Sequence, residues 1–253
     1  MELFPVPEVP EIRPGDDIGA IIADRVEFQP GDVLAVASTV VSKAEDRGAD
    51  LDAFPAGERA TAIARRLEDV TGESKDPRFA QAVLDESAAV LLEAPFLLTK
   101  THFGHVSVNA GIDRSNVPEH DLLLLPRNPS QSAERIRAGL ETEDVDLIVT
   151  DTCGRPFRHG QRGVALGWSG LAASRDWRGE IDRTGRPMDV TVQAVVDELA
   201  AAANLLAGEG AGGTPAIVIR DWSFGDFETN DSLFRDIETD FVHQALRNWR
   251  YEP

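Results

Sequence analysis

Four short runs constrain the fold most: DVLAVA at 32–37, DLLLL at 121–125, DLIVT at 146–150 and AIVIR at 216–220. Each is apolar almost throughout and is bounded by turn-forming residues, without the alternation of a strand that keeps one face in water. Strands of this kind are buried on both faces, so other elements must cover them. Helical segments stand between them. At 58–71, Ile63, Leu67 and Val70 recur at helical spacing and Gly72 supplies a stop. A second helix is expected over 78–90 after Pro77. A third starts at Asn128, which caps, with Pro129 in the first turn and Gln131 three residues beyond the cap. Between 191 and 207, Val192, Val195, Val196, Leu199, Ala202, Ala203 and Leu206 form one face of a fourth. Helices and strands intermingle without strict alternation. The expected class is α+β, with α/β as the alternative.

A chain of 253 residues is long enough for one large domain or two small ones. The expectation is a single unit over 1–253 with two lobes as an option, joined near the turn-rich stretch WRGEIDRTGRP at 177–187. No window approaches the roughly eighteen apolar residues of a membrane span. The start, MELFPVPEVPEI, lacks the basic and apolar parts of a secretory signal, and a cytoplasmic location is expected. Cys153 is the only cysteine, which excludes an internal disulfide and a cysteine-rich metal cluster.

Acidic residues number 44 against 25 basic ones, a net charge of −19. Such a surface argues against nucleic acid and anionic membrane as partners, because both need a basic face. Only Lys43, Lys75 and Lys100 are lysines; the remaining cations are arginines. Acid excess with scarce lysine suits a halophilic protein, since concentrated salt screens repulsion among carboxylates. A merely acidic protein from an ordinary cytoplasm is the other reading.

Against that background, Arg155, Arg158, His159 and Arg162 gather just after Asp151 in IVTDTCGRPFRHGQRGVALG. A carboxylate and a hydroxyl at a strand exit, Asp151 and Thr152, offer oxygens to a hard cation, and arginine forks match phosphate oxygens in two-point fashion. A simple turn cap is the alternative for the Asp-Thr pair alone. In GHVSVNAGIDRSN, Asp113 is a second carboxylate of the kind that two-metal phosphoryl chemistry uses, or else part of a turn. In ASTVVSKAED, Ser38, Thr39, Ser42 and Lys43 follow the first strong strand as candidate phosphate donors, although no Walker A pattern is present. His102 and His105, three apart, lack a nearby third ligand and make a poor metal pair. GEGAGG at 208–213 reads as a stop and turn or as a nucleotide-facing loop. The aromatic C-terminal end, with Trp222, Phe224, Phe227, Phe234, Phe241 and Trp249, suits a core or a subunit contact.

Taken in order, VPEIRPGDD, STVVSKAE, GHVSVNAGIDRSN, VTDTCGRPFRHGQRGVALG, DWRGEIDRTGRP and the helix ending in GEG span nearly the whole chain. With these motifs the chain resembles the coenzyme F420-0:L-glutamate ligases, also called gamma-glutamyl ligases. The resemblance implies an α+β fold in an intertwined homodimer. It implies GTP as co-substrate, two divalent cations (manganese or magnesium) and a potassium-like monovalent ion. The implied reaction phosphorylates the phospholactate carboxylate of the deazaflavin coenzyme F420-0. L-Glutamate then attacks the acyl phosphate, and a second glutamate follows through a gamma-linkage.

By motif, Val9, Pro10, Glu11, Ile12, Ser38, Thr39, Lys43 and Asn116 become GTP contacts, with Gly208 and Gly210 beside the nucleotide. Asp113 and Asp151 become ligands of one metal, with Thr152 and Glu209 near the second. Asp113, Asp151 and Arg155 carry the catalytic expectation. The loop GEGAGG is more glycine-rich and less acidic than the family pattern, which leaves the placement of Glu209 open by a residue or two. A metal-dependent phosphohydrolase and a non-catalytic GTP-binding dimer are the competing readings.

Overall fold

The computed structural model describes the chain except residues 116, 118, 143, 211, 224–228, 231–232, 237 and 250–253. It divides into two compact units: Met1–Glu45 with Asn128–Leu233, and Asp46–Arg127 with the chain from Phe234 onward. The stretch 177–187 lies inside the first unit. In chain order, the first unit begins with β1 (Glu2–Pro5), α1 (Ile18–Ala23), β2 (Val33–Ala37) and α2 (Ser38–Ala44). The second unit then supplies β3 (Gly48–Ala49), α3 (Glu58–Thr71), α4 (Pro77–Asp85), β4 (Ser87–Leu92), β5 (Leu98–Thr101), β6 (Val106–Val108) and β7 (Leu122–Leu123). The first unit resumes with α5 (Pro129–Gly139), β8 (Asp146–Arg155), β9 (Arg158–Ser169), β10 (Ser174–Asp176) and β11 (Val192–Gln193). It ends with α6 (Val195–Ala207), β12 (Ala216–Arg220) and β13 (Thr229–Asn230), and α7 (Phe241–Asn248) returns to the second unit. Mixed helices and several sheets make this an α+β chain.

The first unit is built on a five-stranded sheet in the order β1-β12-β2-β8-β9. β2 and β8 run parallel, with Val33 opposite Asp146 and Ala37 opposite Thr150; the other neighbours are antiparallel. Successive residues serve opposite faces. Leu34, Val36, Leu147 and Val149 pack with Ile18, Ile22, Val41, Ala133 and Ile136 from α1, α2 and α5. Val33, Ala35 and Ile148 pack with Val196, Leu199, Ala200 and Ala203 of α6 on the other face. The sequence expectation of doubly covered strands is met in this sheet. A smaller sheet, β11-β10-β13, completes the strands of this unit.

The second unit holds the meander β4-β5-β6 and the short pair β3-β7. Helix α3 has the expected bounds, and Gly72 closes it in a left-handed conformation (φ 73°) that donates to Glu68 O. The helix expected over 78–90 ends at Asp85 instead. Its second half is β4, because Ser87, Ala89 and Val90 find backbone partners on β5, and the Ser87 hydroxyl donates back to Val83 O at the helix end. Long-range pairing thus overrides a helical apolar spacing. The run 121–125 keeps only Leu122–Leu123 as strand; Leu124 N donates to Arg47 O and Leu125 O accepts from Arg47 Nε, so these buried leucines are tied by an arginine rather than a ladder. The 191–207 helix begins at Val195, since Val192 and Gln193 pair with β10. Asn128 caps α5 as expected, accepting from Gln131 N. Of the C-terminal aromatics, Trp222 packs beside the α6 cluster and Phe234 lies edge-on to Phe103; Phe224 and Phe227 fall outside the described residues. Among the described residues no helix is long and apolar enough to cross a membrane.

Two glycines let helices settle directly on β9. A Cβ on Gly163 would stand 2.4 Å from Ala200 O of α6, and one on Gly167 would stand 2.3 Å from the Pro129 backbone of α5. Backbone atoms of packed helices have no way to step aside. Gly163→Ala is therefore expected to lower stability by about 3 kcal/mol or more, and Gly154→Ala, which meets nothing within 4 Å, to change it little. Urea titrations of the two variants check the contrast; equal midpoints would show that α6 does not rest on Gly163.

Candidate functional site

In the first unit β2 ends beside the middle of β8: Ala37 opposes Thr150, and beyond that pair Ser38 leaves β2 while Asp151 continues along β8 against Val164 of β9. Asp151 and Thr152 thus lie within β8, which runs on to Arg155, and not at the strand exit expected from the apolar run before them. The C-terminal end of a parallel strand such as β2 is where open sheets place their ligands. Ser38 opens α2 and is buried, while Lys43 sits in the last turn of that helix. Lys43 Nζ reaches Glu11 Oε1 at 2.5 Å, and Glu11 is 68% exposed. A pair with so wet a partner is weak and exchangeable for an anion. Ile12 is buried in the core and Val9 packs against it, anchoring the segment whose Pro10 and Glu11 remain exposed.

Strand alternation sends Asp151 and Cys153 to one face of β8 and Thr152 to the other. On that second face Thr152 Oγ1 donates to Glu209 Oε2 at 3.3 Å, and Asn204 Nδ2 donates to Glu209 Oε1 at 2.8 Å. Gly208 ends α6 with φ 69°, turning the chain so that Glu209 folds back toward Asn204. Gly208 and Gly210 have open space where a Cβ would stand. The structure thus brings Thr152 and Glu209 together, two residues far apart in sequence.

The β8–β9 hairpin carries the cations. Arg155 pairs with Arg158 across it, an opposition of like charges that an anion would relieve. Arg155 also donates to Gly160 O at 3.3 Å. Arg162 lies opposite Cys153 and 3.8 Å from Asp197 of α6. Burial, then the charge of Asp151, push the Cys153 thiol up, with Arg162 pulling the other way and Asp197 adding to the rise. Cys153, half-buried, is therefore a poor nucleophile.

In the second unit, Asp113 exchanges backbone hydrogen bonds with Leu123, and its carboxylate accepts from Ser115 N at 2.7 Å and Ser115 Oγ at 2.8 Å. Three successive residues before it, Asn109, Ala110 and Gly111, have positive φ. Ala110 holds this conformation while buried, its N–H donating to Thr99 Oγ1. Strain of this kind in a non-glycine residue is kept only where surroundings enforce it. The turn reading and the carboxylate-presenting reading of Asp113 both accommodate this geometry. Asn116 lies outside the described residues.

Residues that the motifs did not reveal are Asp197 and Asn204, which with Glu198 are the polar positions of α6. Their signal was their place on the helix pattern, which was read for its core face alone. Glu45, at the end of α2, was likewise missed; it accepts from Ser132 Oγ and Arg135 of α5 and fixes the two helices to each other.

Comparison with known proteins decides the family. The family model described as F420-0:Gamma-glutamyl ligase matches residues 7–221. The chain belongs to this family. It is 66% identical over 252 residues to a protein named Coenzyme F420:L-glutamate ligase from Halorubrum lacusprofundi, covering 100% of each chain. A protein of the same name from Natronomonas pharaonis is 63% identical, with 100% of this chain and 98% of that one covered. One from Archaeoglobus fulgidus is 48% identical over 98% of each. The motif order read from sequence is thus that of the gamma-glutamyl ligase family along the whole chain.

The histidine pair does not converge on a metal. His102 is exposed, with Nε2 3.1 Å from Asp85 O, whereas His105 is buried beside Phe103 and Phe234 with its Nε2 unpartnered. Burial pushes the His105 pKa down to about 4. A folded-state pKa below the unfolded one means that the unfolded chain binds the proton more readily. His105 therefore costs no stability above pH about 6.5, and stability is lost as pH falls from there toward about 4. By linkage the loss approaches roughly 3 kcal/mol. A proton NMR titration should show the His105 ring still neutral at pH about 5; a midpoint near the ordinary histidine value would disprove its burial.

Proposed function

We propose that this chain is a ligase that joins L-glutamate to coenzyme F420-0, using GTP to activate the acceptor carboxylate. The relatives that match the full length of this chain bear the name Coenzyme F420:L-glutamate ligase, which supports the joining of glutamate. The observation that carries the reading is the in-register pairing of β2 with β8. It sets Ser38, Thr39 and Lys43, which follow the end of β2, next to the stretch of the continuing β8 that holds Asp151 and Thr152. A carboxylate is a poor electrophile until one of its oxygens becomes a leaving group. Phosphoryl transfer from GTP makes that oxygen part of a phosphate, and the amine of glutamate then displaces it with inorganic phosphate as product. The potassium-like ion belongs to this reading as an auxiliary cation, and a second, gamma-linked glutamate extends it.

The donor set fits hard divalent cations. Asp151, Thr152 and Glu209 present carboxylate and hydroxyl oxygens, the ligands that magnesium and manganese take. Among the described residues no three or more His, Cys, Asp or Glu side chains gather as a metal cage. That suits ions whose shells are completed by nucleotide phosphates and water. When bound, such ions offset charge on the transferring phosphoryl. For its own part, Lys43 exchanges Glu11 for a phosphate oxygen. Arg155 and Arg158 take an anionic group between them, and Arg162, opposite Cys153, offers its guanidinium to an oxyanion. Asp113 is assigned a ligand role on its motif.

Mass spectrometry tests the proposal. Coenzyme F420-0, GTP, manganese and L-glutamate in high potassium chloride should yield a product heavier by one or two glutamyl units, and none when GTP or metal is omitted. Phosphate release without a mass shift would mean a phosphohydrolase instead. In the same assay Asp151→Asn should cut turnover by about a hundredfold or more. Lys43→Ala should raise the KM for GTP by about tenfold and leave that for glutamate within about twofold. Equal effects on both substrates would remove Lys43 from the phosphate contacts.

A further inference from the structure

Asp197 has no place in any of the motifs that mark the family along this chain, yet it lies where the site is assembled. It is in the first turn of α6, where an acid ordinarily gains from the helix dipole while staying in water. Here its side chain is only 18% exposed. Burying a carboxylate is costly unless its oxygens are used. One oxygen, Oδ1, accepts the backbone N–H of Ala165 at 2.9 Å. The other, Oδ2, faces the Arg162 guanidinium at 3.8 Å.

The Ala165 bond falls on an irregularity in β9. Val149 of β8 pairs with Gly167, but the next residue, Thr150, pairs with Ala165, so β9 carries one extra residue at Leu166. Such a bulge re-aims the side chains beyond it and recurs beside active sites. The residues beyond it are the pairs Asp151 with Val164, Thr152 with Gly163 and Cys153 with Arg162. Asp197 therefore grips the strand at its bulge and, three residues further, the arginine that the bulge redirects. At 3.8 Å the contact with Arg162 is electrostatic rather than a hydrogen bond, which leaves guanidinium N–H groups for another oxyanion.

We infer that Asp197 is a positioning residue for the ligation: by holding the β9 bulge and the charge of Arg162 together, it fixes this guanidinium, carried opposite Cys153 and two residues along β8 from Asp151, for the anionic acceptor. This rests on the functional reading above, and the experiment separates the two. A double-mutant cycle uses Asp197→Asn, which keeps an oxygen for Ala165 N–H but removes the charge, and Arg162→Gln. Each single change is expected to lower kcat/KM for coenzyme F420-0 by about tenfold, with the KM for GTP little altered. The double variant is expected to be no worse than Arg162→Gln alone, because Asp197 acts through Arg162. Independent losses that multiply in the double variant would overturn the inference, since a purely structural role predicts them.

Urea denaturation of the same four proteins supplies a second readout that needs no ligase activity, because the 3.8 Å contact between Arg162 and Asp197 couples the two residues in the folded state. Arg162→Gln should lower the midpoint in the parent and leave it unchanged in Asp197→Asn. The same lowering in both backgrounds would also overturn the inference. A parent protein that never glutamylates sinks the functional reading alone, and the denaturation cycle then still decides whether Asp197 holds Arg162. Should Asp197→Asn not fold, Asp197→Glu replaces it in both cycles, its longer arm displacing Arg162. Its effect should vanish once Arg162→Gln is present, and an effect that persists there would overturn the inference.

Discussion

Val33–Ala37 lies parallel to the first half of β8, and a parallel pair cannot be closed by a tight turn. The chain leaving β2 must travel before it returns as β8. In this protein the excursion carries α2, the whole first part of the second unit and α5. The same pairing buries both faces of the two strands and so calls for α1, α2 and α5 on one side and α6 on the other. It also decides where polar side chains emerge. Because β2 ends where Ala37 meets Thr150, Ser38 emerges at the level of Asp151 in the continuing β8, and this neighbourhood is set by a hydrogen-bond register.

Charge is placed as economically as apolar surface. At the far end of β2, Asp32 is almost fully buried and meets Arg220 of β12 at 2.6 Å, with Gln29 N donating as well. Burial alone would raise the Asp32 pKa, but the Arg220 hydrogen bond, the Gln29 N–H and the arginine's charge outweigh it and hold the carboxyl below its ordinary value. A satisfied buried pair of this kind is costly to break from one side.

What could be read from sequence follows the range of the interactions involved. Helix α3 and the start of α5 are governed by local rules, apolar spacing with Gly72 after it and an Asn128-Pro129 cap, and their expected limits hold. The β4 segment was misread as helix because its fate depends on partners on β5, which no local pattern records. The site divides in the same way. Asp151, Thr152 and the arginines stand out because they follow an apolar run, a contrast visible in one dimension. Asn204 and Asp197 are hidden because a polar residue in an amphipathic helix looks like any solvated position until the strand beneath it is known.

A chain with a net charge of −19 repels a nucleoside triphosphate at long range, so any attraction has to be local. Concentrated salt shortens the reach of the surrounding carboxylates to a few ångströms, about 3 Å at molar strength. Contacts at hydrogen-bond distance survive that screening better than the diffuse field does. This favours short-range devices, and the first unit holds cations in such settings: Lys43 against Glu11, the opposed pair Arg155 and Arg158, and Arg162 near Asp197. Lys43 and Arg162 each have an acidic neighbour that an incoming anion can displace or share. In such a surface the binding anion competes with nearby acids one contact at a time, and the placement of those acids is part of the site.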